Sequence, residues 1–266
     1  GALVGLHYAV QLSRPRWGHG SDMGGRRTPW IIGGMAVLAL GGVLAAVATA
    51  WAASAPLAGI ALAVLAFVLI GGGVGASGTS LLALLATDVA PERRAPAASI
   101  TWIMMIFGFA LTAGVSGSVL DPFSLQRLVL VAAGVCAVAF TLSVIAVWGV
   151  ERAPSSLRRA AAQKPGADTP FFTALRQVWA EPKARRFTVF VFVSMLAYSA
   201  QDLILEPFSG LVFGLTPGES TKLAGLQHGG VLIGMIVVAV MGNRLGAEGF
   251  GRRQTWVIGG CAASSL

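Results

Sequence analysis

The chain has 266 residues, of which 55% are hydrophobic and only 11% charged, and its formal net charge is +8. Soluble domains carry roughly 25% charged residues, so a water-soluble globular domain is excluded. The placement of the charge argues against nucleic-acid binding, because the basic residues gather in short segments between long apolar runs.

In chain order, a partial apolar span covers residues 1–12. Complete spans follow at 30–52, 58–86, 98–119, 127–149, 187–206 and 221–242, and another begins at 255. Eighteen or more apolar residues suffice for a helix to cross a hydrocarbon core of about 30 Å. Helices are expected because a lipid-exposed backbone must satisfy its own hydrogen bonds. A transmembrane barrel would need short segments of alternating polarity, and these runs do not alternate.

With alternating crossings, segments 13–29, 87–97, 150–186 and 243–254 fall on one side. They hold 17 of the 19 Lys and Arg residues, leaving Arg127 and Lys222 on the other. The positive-inside rule then expects the basic segments in the cytoplasm. Trp30, Trp51, Trp102, Trp148 and Trp256 stand near span ends, where amphipathic rings favour the headgroup zone. Cys136 and Cys261 lie inside apolar spans and read as buried small hydrophobes. In "GGGVGASGTS", Gly71, Gly75 and Thr79 recur every four residues. That spacing lets helices approach closely, and a flat ligand resting on it is the second option.

The segment 150–186 reads as a linker. Its first part is polar with Pro and Ser, a loop composition. In "FFTALRQVWAEPKARRF", Phe172, Leu175, Val178 and Trp179 share one helical face, flanked by Arg176, Lys183, Arg185 and Arg186. Two readings stand: a helix lying in the interface near anionic headgroups, or a linker helix packed on the protein.

A repeat organises the whole. "GRRTPWIIGG" at 25–34 returns as "GRRQTWVIGG" at 251–260, identical at seven of ten positions and 226 residues on. Six full crossings separate the copies, which puts both on one side. Two parallel six-span halves fit this spacing and imply a parent of roughly 450 residues. The chain would then run from the second span into the ninth. Residues 1–149 would form the N-terminal half without its first span, 150–186 the linker, and 187–266 the truncated start of the C-terminal half. In the first copy Asp22 can pair with Arg26, Arg27 or a helix N-terminus, and Pro29 suits a first helical turn.

Gly18, Asp22, Gly25, Arg26 and Arg27 resemble the loop between spans two and three of the major facilitator family. Glu248, Arg252 and Arg253, in "GNRLGAEGFGRR", resemble the matching loop between spans eight and nine. The resemblance implies an all-α major facilitator-type fold and a cytoplasmic latch made by these residues. "YSAQDLILEPFSGLVFGLTPGESTKLAGLQHGGVLIG" at 198–234, with "HYAVQLSRPRWGHGSD" and "FTALRQVWAEPKARRF", is similar to the PucC/LhaA group. That resemblance implies a non-enzymatic factor for assembling light-harvesting antenna complexes in a photosynthetic membrane. Its implied ligand is bacteriochlorophyll, and its implied partners are antenna polypeptides, the reaction centre and membrane lipids. The span 58–86 lacks the Arg found in many proton-coupled facilitators, which counts against classical antiport. A secondary transporter of a small solute is the alternative.

Polar groups inside a membrane are costly and so are functional candidates. Asp202 and Glu206 are spaced i, i+4 and share a helix face. Counting from Phe187 puts Asp202 roughly 22 Å along the axis, in the outer half, with Glu206 near the outer surface. They read either as a proton or ligand site, or as a structural anchor that bonds a re-entering segment 207–220 or caps the next helix; the span itself ends before Pro207. Asp-x-x-x-Glu also occurs in magnesium diphosphate sites of membrane prenyltransferases, but those need two acid-rich motifs near the cytoplasmic face, and here there is one. Gln201, Gln227 and His228 complete the polar set. An imidazole can give a chlorin magnesium its axial nitrogen, which makes His228 the first candidate and Gln227 the next. Cross-helix hydrogen bonding is the commoner use of such residues. No zinc-type spacing or nucleophile triad is present.

Overall fold

The computed structural model describes residues 2–11, 14, 26–151 and 171–244. The elements are all helical: α1 Ala2–Gln11, α2 Thr28–Ala52, α3 Pro56–Asp88, a 3₁₀ turn Pro91–Arg93, α4 Arg94–Leu120, α5 Leu125–Val147, α6 Phe171–Ala180, α7 Pro182–Phe213 and α8 Pro217–Arg244. Among the described residues, α2, α3, α4 with its leading turn, α5 and α7 are long and apolar enough to cross a membrane. The chain is a multi-pass membrane protein.

Local chemistry starts and stops these helices. α2, α3, α7 and α8 each carry Pro in the first turn, where its missing N–H breaks no helical bond. Ser124 caps α5 by accepting from the Arg127 amide at 3.1 Å. Thr216 and Glu219 form a capping box on α8. The Thr216 amide donates to Glu219 Oε2 at 2.8 Å, and the Glu219 amide donates to Thr216 Oγ1 at 3.2 Å.

The sequence reading ended the seventh span at Pro207 and turned the chain back through 207–220. Instead α7 runs through Pro207 to Phe213. Proline removes the donor that the Leu203 carbonyl would have received there, and two residues on the Ser209 hydroxyl donates to the Glu206 carbonyl at 2.9 Å. The helix stops at Gly214, which takes a left-handed φ of 65° and donates to the Gly210 carbonyl, a glycine C-cap. Glu206 therefore lies seven residues, about 10 Å, inside that end of the helix.

Packing is done by small residues. α2 and α3 run antiparallel with backbones nearly touching. A methyl group on Gly34 would lie 2.6 Å from the Ser77 amide, and one on Gly73 2.6 Å from the Leu38 amide. Gly71 serves a different neighbour, since its added carbon would meet the α1 carbonyl of His7 at 2.8 Å. The glycine-rich stretch thus seats two helices on two faces. The apolar cluster of Ile31, Leu84 and Val147 ties α2, α3 and α5 together at one end. α4 pairs closely with α8 across the linker, and α6 packs chiefly on α7. The described side chains Thr173, Arg176, Gln177 and Trp179 of α6 are exposed.

Candidate functional site

Two polar centres emerge, one at the basic face and one within the helices. At the basic face, Arg27 is the residue just before α2. Its amide lies 3.0 and 2.9 Å from the two carboxylate oxygens of Glu151, and the Thr28 amide donates to Oε2 at 2.7 Å. Glu151 is only 8% exposed. An anion against the exposed amides and positive end of a helix is the favourable arrangement. The Arg27 guanidinium turns the other way, donating to the Ala83 carbonyl at 2.8 Å and to Thr87 Oγ1. Arg27 therefore joins the start of α2 to the end of α3, while Glu151 joins it to the end of α5. Arg26 is exposed. Gly18, Asp22, Gly25, Glu248, Arg252 and Arg253 lie outside the described residues.

The second centre brings α7, α8 and α4 together. Gln227 Nε2 donates to Asp202 Oδ1 at 3.3 Å, and Gln227 Oε1 is buried with no hydrogen-bond partner. His228 Nδ1 sits 2.8 Å from the Ala224 carbonyl. A carbonyl only accepts, so this nitrogen carries the proton, and in the neutral ring Nε2 keeps a lone pair. Phe109 of α4 meets the imidazole edge-on, with centroids 5.5 Å apart. Gln201, Asp202 and Glu206 are exposed on α7. Asp202 is eleven residues from the end of α7 and Gln227 ten from the start of α8, about 15 Å in each case. Both residues thus stand well inside their helices rather than at an end.

Sequence reading missed Glu151, which it assigned to the linker, and the pairing of Asp121 with Lys222. Lys222 Nζ lies 2.9 Å from Asp121 Oδ2, and the Thr216 hydroxyl donates to Oδ1 at 3.2 Å. The available signal was that Arg127 and Lys222 are the two bases on the opposite face. Both end at Asp121–Pro122, since Arg127 Nη1 donates to the Pro122 carbonyl at 3.0 Å. A third feature is an apolar cavity of about 560 Å³ among α1, α2 and α3, lined by Val10, Trp30, Gly33, Val68, Gly72 and Ala76 among others. Among the described residues no group of three or more His, Cys, Asp or Glu side chains could hold a metal ion.

A family model described as "PUCC protein" matches residues 1–266. The chain belongs to the PucC family. Its relatives include the "Bacteriochlorophyll synthase 44.5 kDa chain" of Rhodobacter capsulatus, 54% identical over 100% of this chain and 60% of that protein. "Protein PucC" of Cereibacter sphaeroides is 32% identical over 81% of this chain and 48% of its own length. "Protein PucC" of Rhodovulum sulfidophilum is 30% identical, over 81% and 49% respectively. This PucC-family chain thus spans about half to three fifths of those relatives. No solved structure matches it.

Proposed function

We propose that the chain is part of a membrane assembly factor for bacterial light-harvesting antenna complexes, one that holds bacteriochlorophyll and docks antenna polypeptides. The observation that carries this reading is the family match over residues 1–266. The name of one relative also contains bacteriochlorophyll. The proposed setting is the photosynthetic inner membrane with the basic loops in the cytoplasm. The proposed partners are antenna polypeptides, the reaction centre and lipids, without nucleic acid. The two-half layout is part of this proposal, supported by the repeat at 25–34 and 251–260 and by the pairing of α4 with α8.

The residues around His228 fit a magnesium chlorin. His228 would hold such a group through its imidazole, as the one donor supplied by the protein. The Ala224 carbonyl fixes the tautomer that leaves Nε2 as that donor. Bound there, the chlorin would supply Lewis acidity and light absorption. Gln227 Oε1, buried without a partner, is the second acceptor on the same helix. Asp202 holds the Gln227 amide through its nitrogen and so orients that oxygen.

The word synthase belongs to one relative's name, and the reading here is non-catalytic. Asp202 and Glu206 sit about 15 and 10 Å inside the end of α7. A magnesium diphosphate there would bring several charges far into hydrocarbon, where even one is expensive. A secondary transporter remains the alternative, with Asp202 as a coupling group.

The test is gentle purification of the protein from photosynthetic membranes. Antenna subunits and bacteriochlorophyll absorbance should co-purify, and absence of both would overturn the assembly reading. His228→Leu should lower the pigment-to-protein ratio by about tenfold, the scale on which changes around metal ligands act. An unchanged ratio removes His228 from the site. Solute flux into proteoliposomes that disappears in Asp202→Asn would favour the transporter.

A further inference from the structure

We propose that Asp121 and Lys222 form a fixed clasp at the face opposite the basic loops. It sets the register of α4, which precedes the linker, against α8, which follows it, over a glycine seam that keeps the two from parting there.

The seam beneath the clasp is made of glycine. A carbon added to Gly117 would lie 2.7 Å from the Gly218 carbonyl and 2.8 Å from the Lys222 amide. One added to Gly225 would lie 2.9 Å from the Gly114 amide, and one on Gly218 would collide with the Asp121 carboxylate. Backbones this close leave no room for helices to slide by part of a turn. Close approach through small residues is how membrane helices bind without a hydrophobic driving force.

The charges sit on the end of this seam. Lys222 and the Thr216 hydroxyl take separate oxygens of Asp121. Thr216 is at the same time the cap of α8, fixed by Glu219. Arg127 anchors the Asp121–Pro122 turn from the start of α5. Asp121, Arg127, Glu219 and Lys222 therefore form one neutral knot. An exposed ion pair holds little by itself. Its part is to set the register of α4 against α8, and the glycine seam does the holding.

The consequence concerns motion. A rocking carrier must open alternately to both sides of its central site. With this end fixed, His228 stays against Phe109, which lies on the same pair of helices. A ligand then reaches that region from the basic face or sideways from the lipid. The last point rests on the pigment reading above, but the clasp does not.

The experiment is a spin-label distance measurement on the full chain in lipid nanodiscs. Labels go on cysteines at Val119 and Leu223, both exposed beside the clasp, with Cys136 and Cys261 replaced by Ser. The expected result is one narrow distance. Lys222→Glu should broaden or shift it by about one helical turn, roughly 5 Å, and Asp121→Lys with Lys222→Asp should restore it. Two populations in the chain with native charges would overturn the proposal without any clasp variant. A distribution unmoved by Lys222→Glu, or not restored by the exchange, would overturn it as well. No pigment is read, so the result is independent of the His228 test.

Discussion

Glu151 and Arg27 lie 124 residues apart and meet through the backbone, not through their charges. The carboxylate takes the Arg27 and Thr28 amides at 2.7 to 3.0 Å, while the guanidinium reaches Ala83 and Thr87. Hydrogen bonds to a charged group contribute about 1.5–3 kcal/mol, and orphaning a buried donor costs about 1–3 kcal/mol. Glu151→Ala should therefore lower stability by about 2–4 kcal/mol, and Glu151→Gln by less, because its amide oxygen still accepts. Thermal unfolding of the purified chain in detergent measures this. Equal losses for both would show that the site needs the charge itself.

The glycine seam between α2 and α3 gives a position-specific prediction. Gly34→Ala and Gly73→Ala place a methyl group against backbone at 2.6 Å, and overpacking of this kind costs about 1–3 kcal/mol. Gly72→Ala meets nothing within 4 Å and should be neutral, or stabilising by up to about 1 kcal/mol from helix propensity. Unfolding midpoints of the three variants check the contrast. Gly72→Ala falling as far as Gly73→Ala would contradict the packing.

Asp202 accepts one hydrogen bond from Gln227. If its task is to orient that amide, Asp202→Asn should keep antenna assembly within about twofold, because a carboxamide oxygen also accepts. Asp202→Leu should reduce assembly clearly. Antenna absorbance of cells carrying each variant is the measurement. A loss in Asp202→Asn as large as in Asp202→Leu would mean that the negative charge matters.

The Lys222 hydrogen bond, followed by that of Thr216 and the charges of Lys222 and Arg127, holds the Asp121 carboxyl below its ordinary range. A depressed carboxylate contributes stability above its unfolded value, about 3.9, and loses it as the pH falls through the folded value. Lys222→Met should shift the acid-side loss of stability toward the ordinary carboxylate range. Midpoints measured from about pH 6 down to about pH 3 test the sign. Coincident acid limbs would leave the ion pair without a role in stability. Asp121 is half-exposed, so the effect will be small.

How much was legible depended on the range of the interaction. The long helices were, because a lipid-facing backbone has one answer once 18 or more apolar residues follow one another. Bounds fell within about five residues at most ends. The exception was α7, where Pro207 read as a stop. A proline costs one donor, which a long helix can absorb, and the stop comes at the Gly214 cap instead. The set Gln201, Asp202, Glu206, Gln227 and His228 was found because polar residues stand out in apolar runs. Which of them touch was not, because that depends on how α7 and α8 pack.

The sequence by itself determined the class, the crossing segments, the one-sided basic charge and the family, since each is a property of local composition or of matching residues in order. Only the tertiary structure decided the partners. The motif offered Asp22 as a partner for Arg27, and it was the fold that carried Glu151 to the start of α2. Asp121 and Lys222 look like two isolated charges on short loops until α4 and α8 pack at their glycines. Partner choice is settled by which helix ends the packing brings together, and that packing depends on small residues whose neighbours lie far away in the chain.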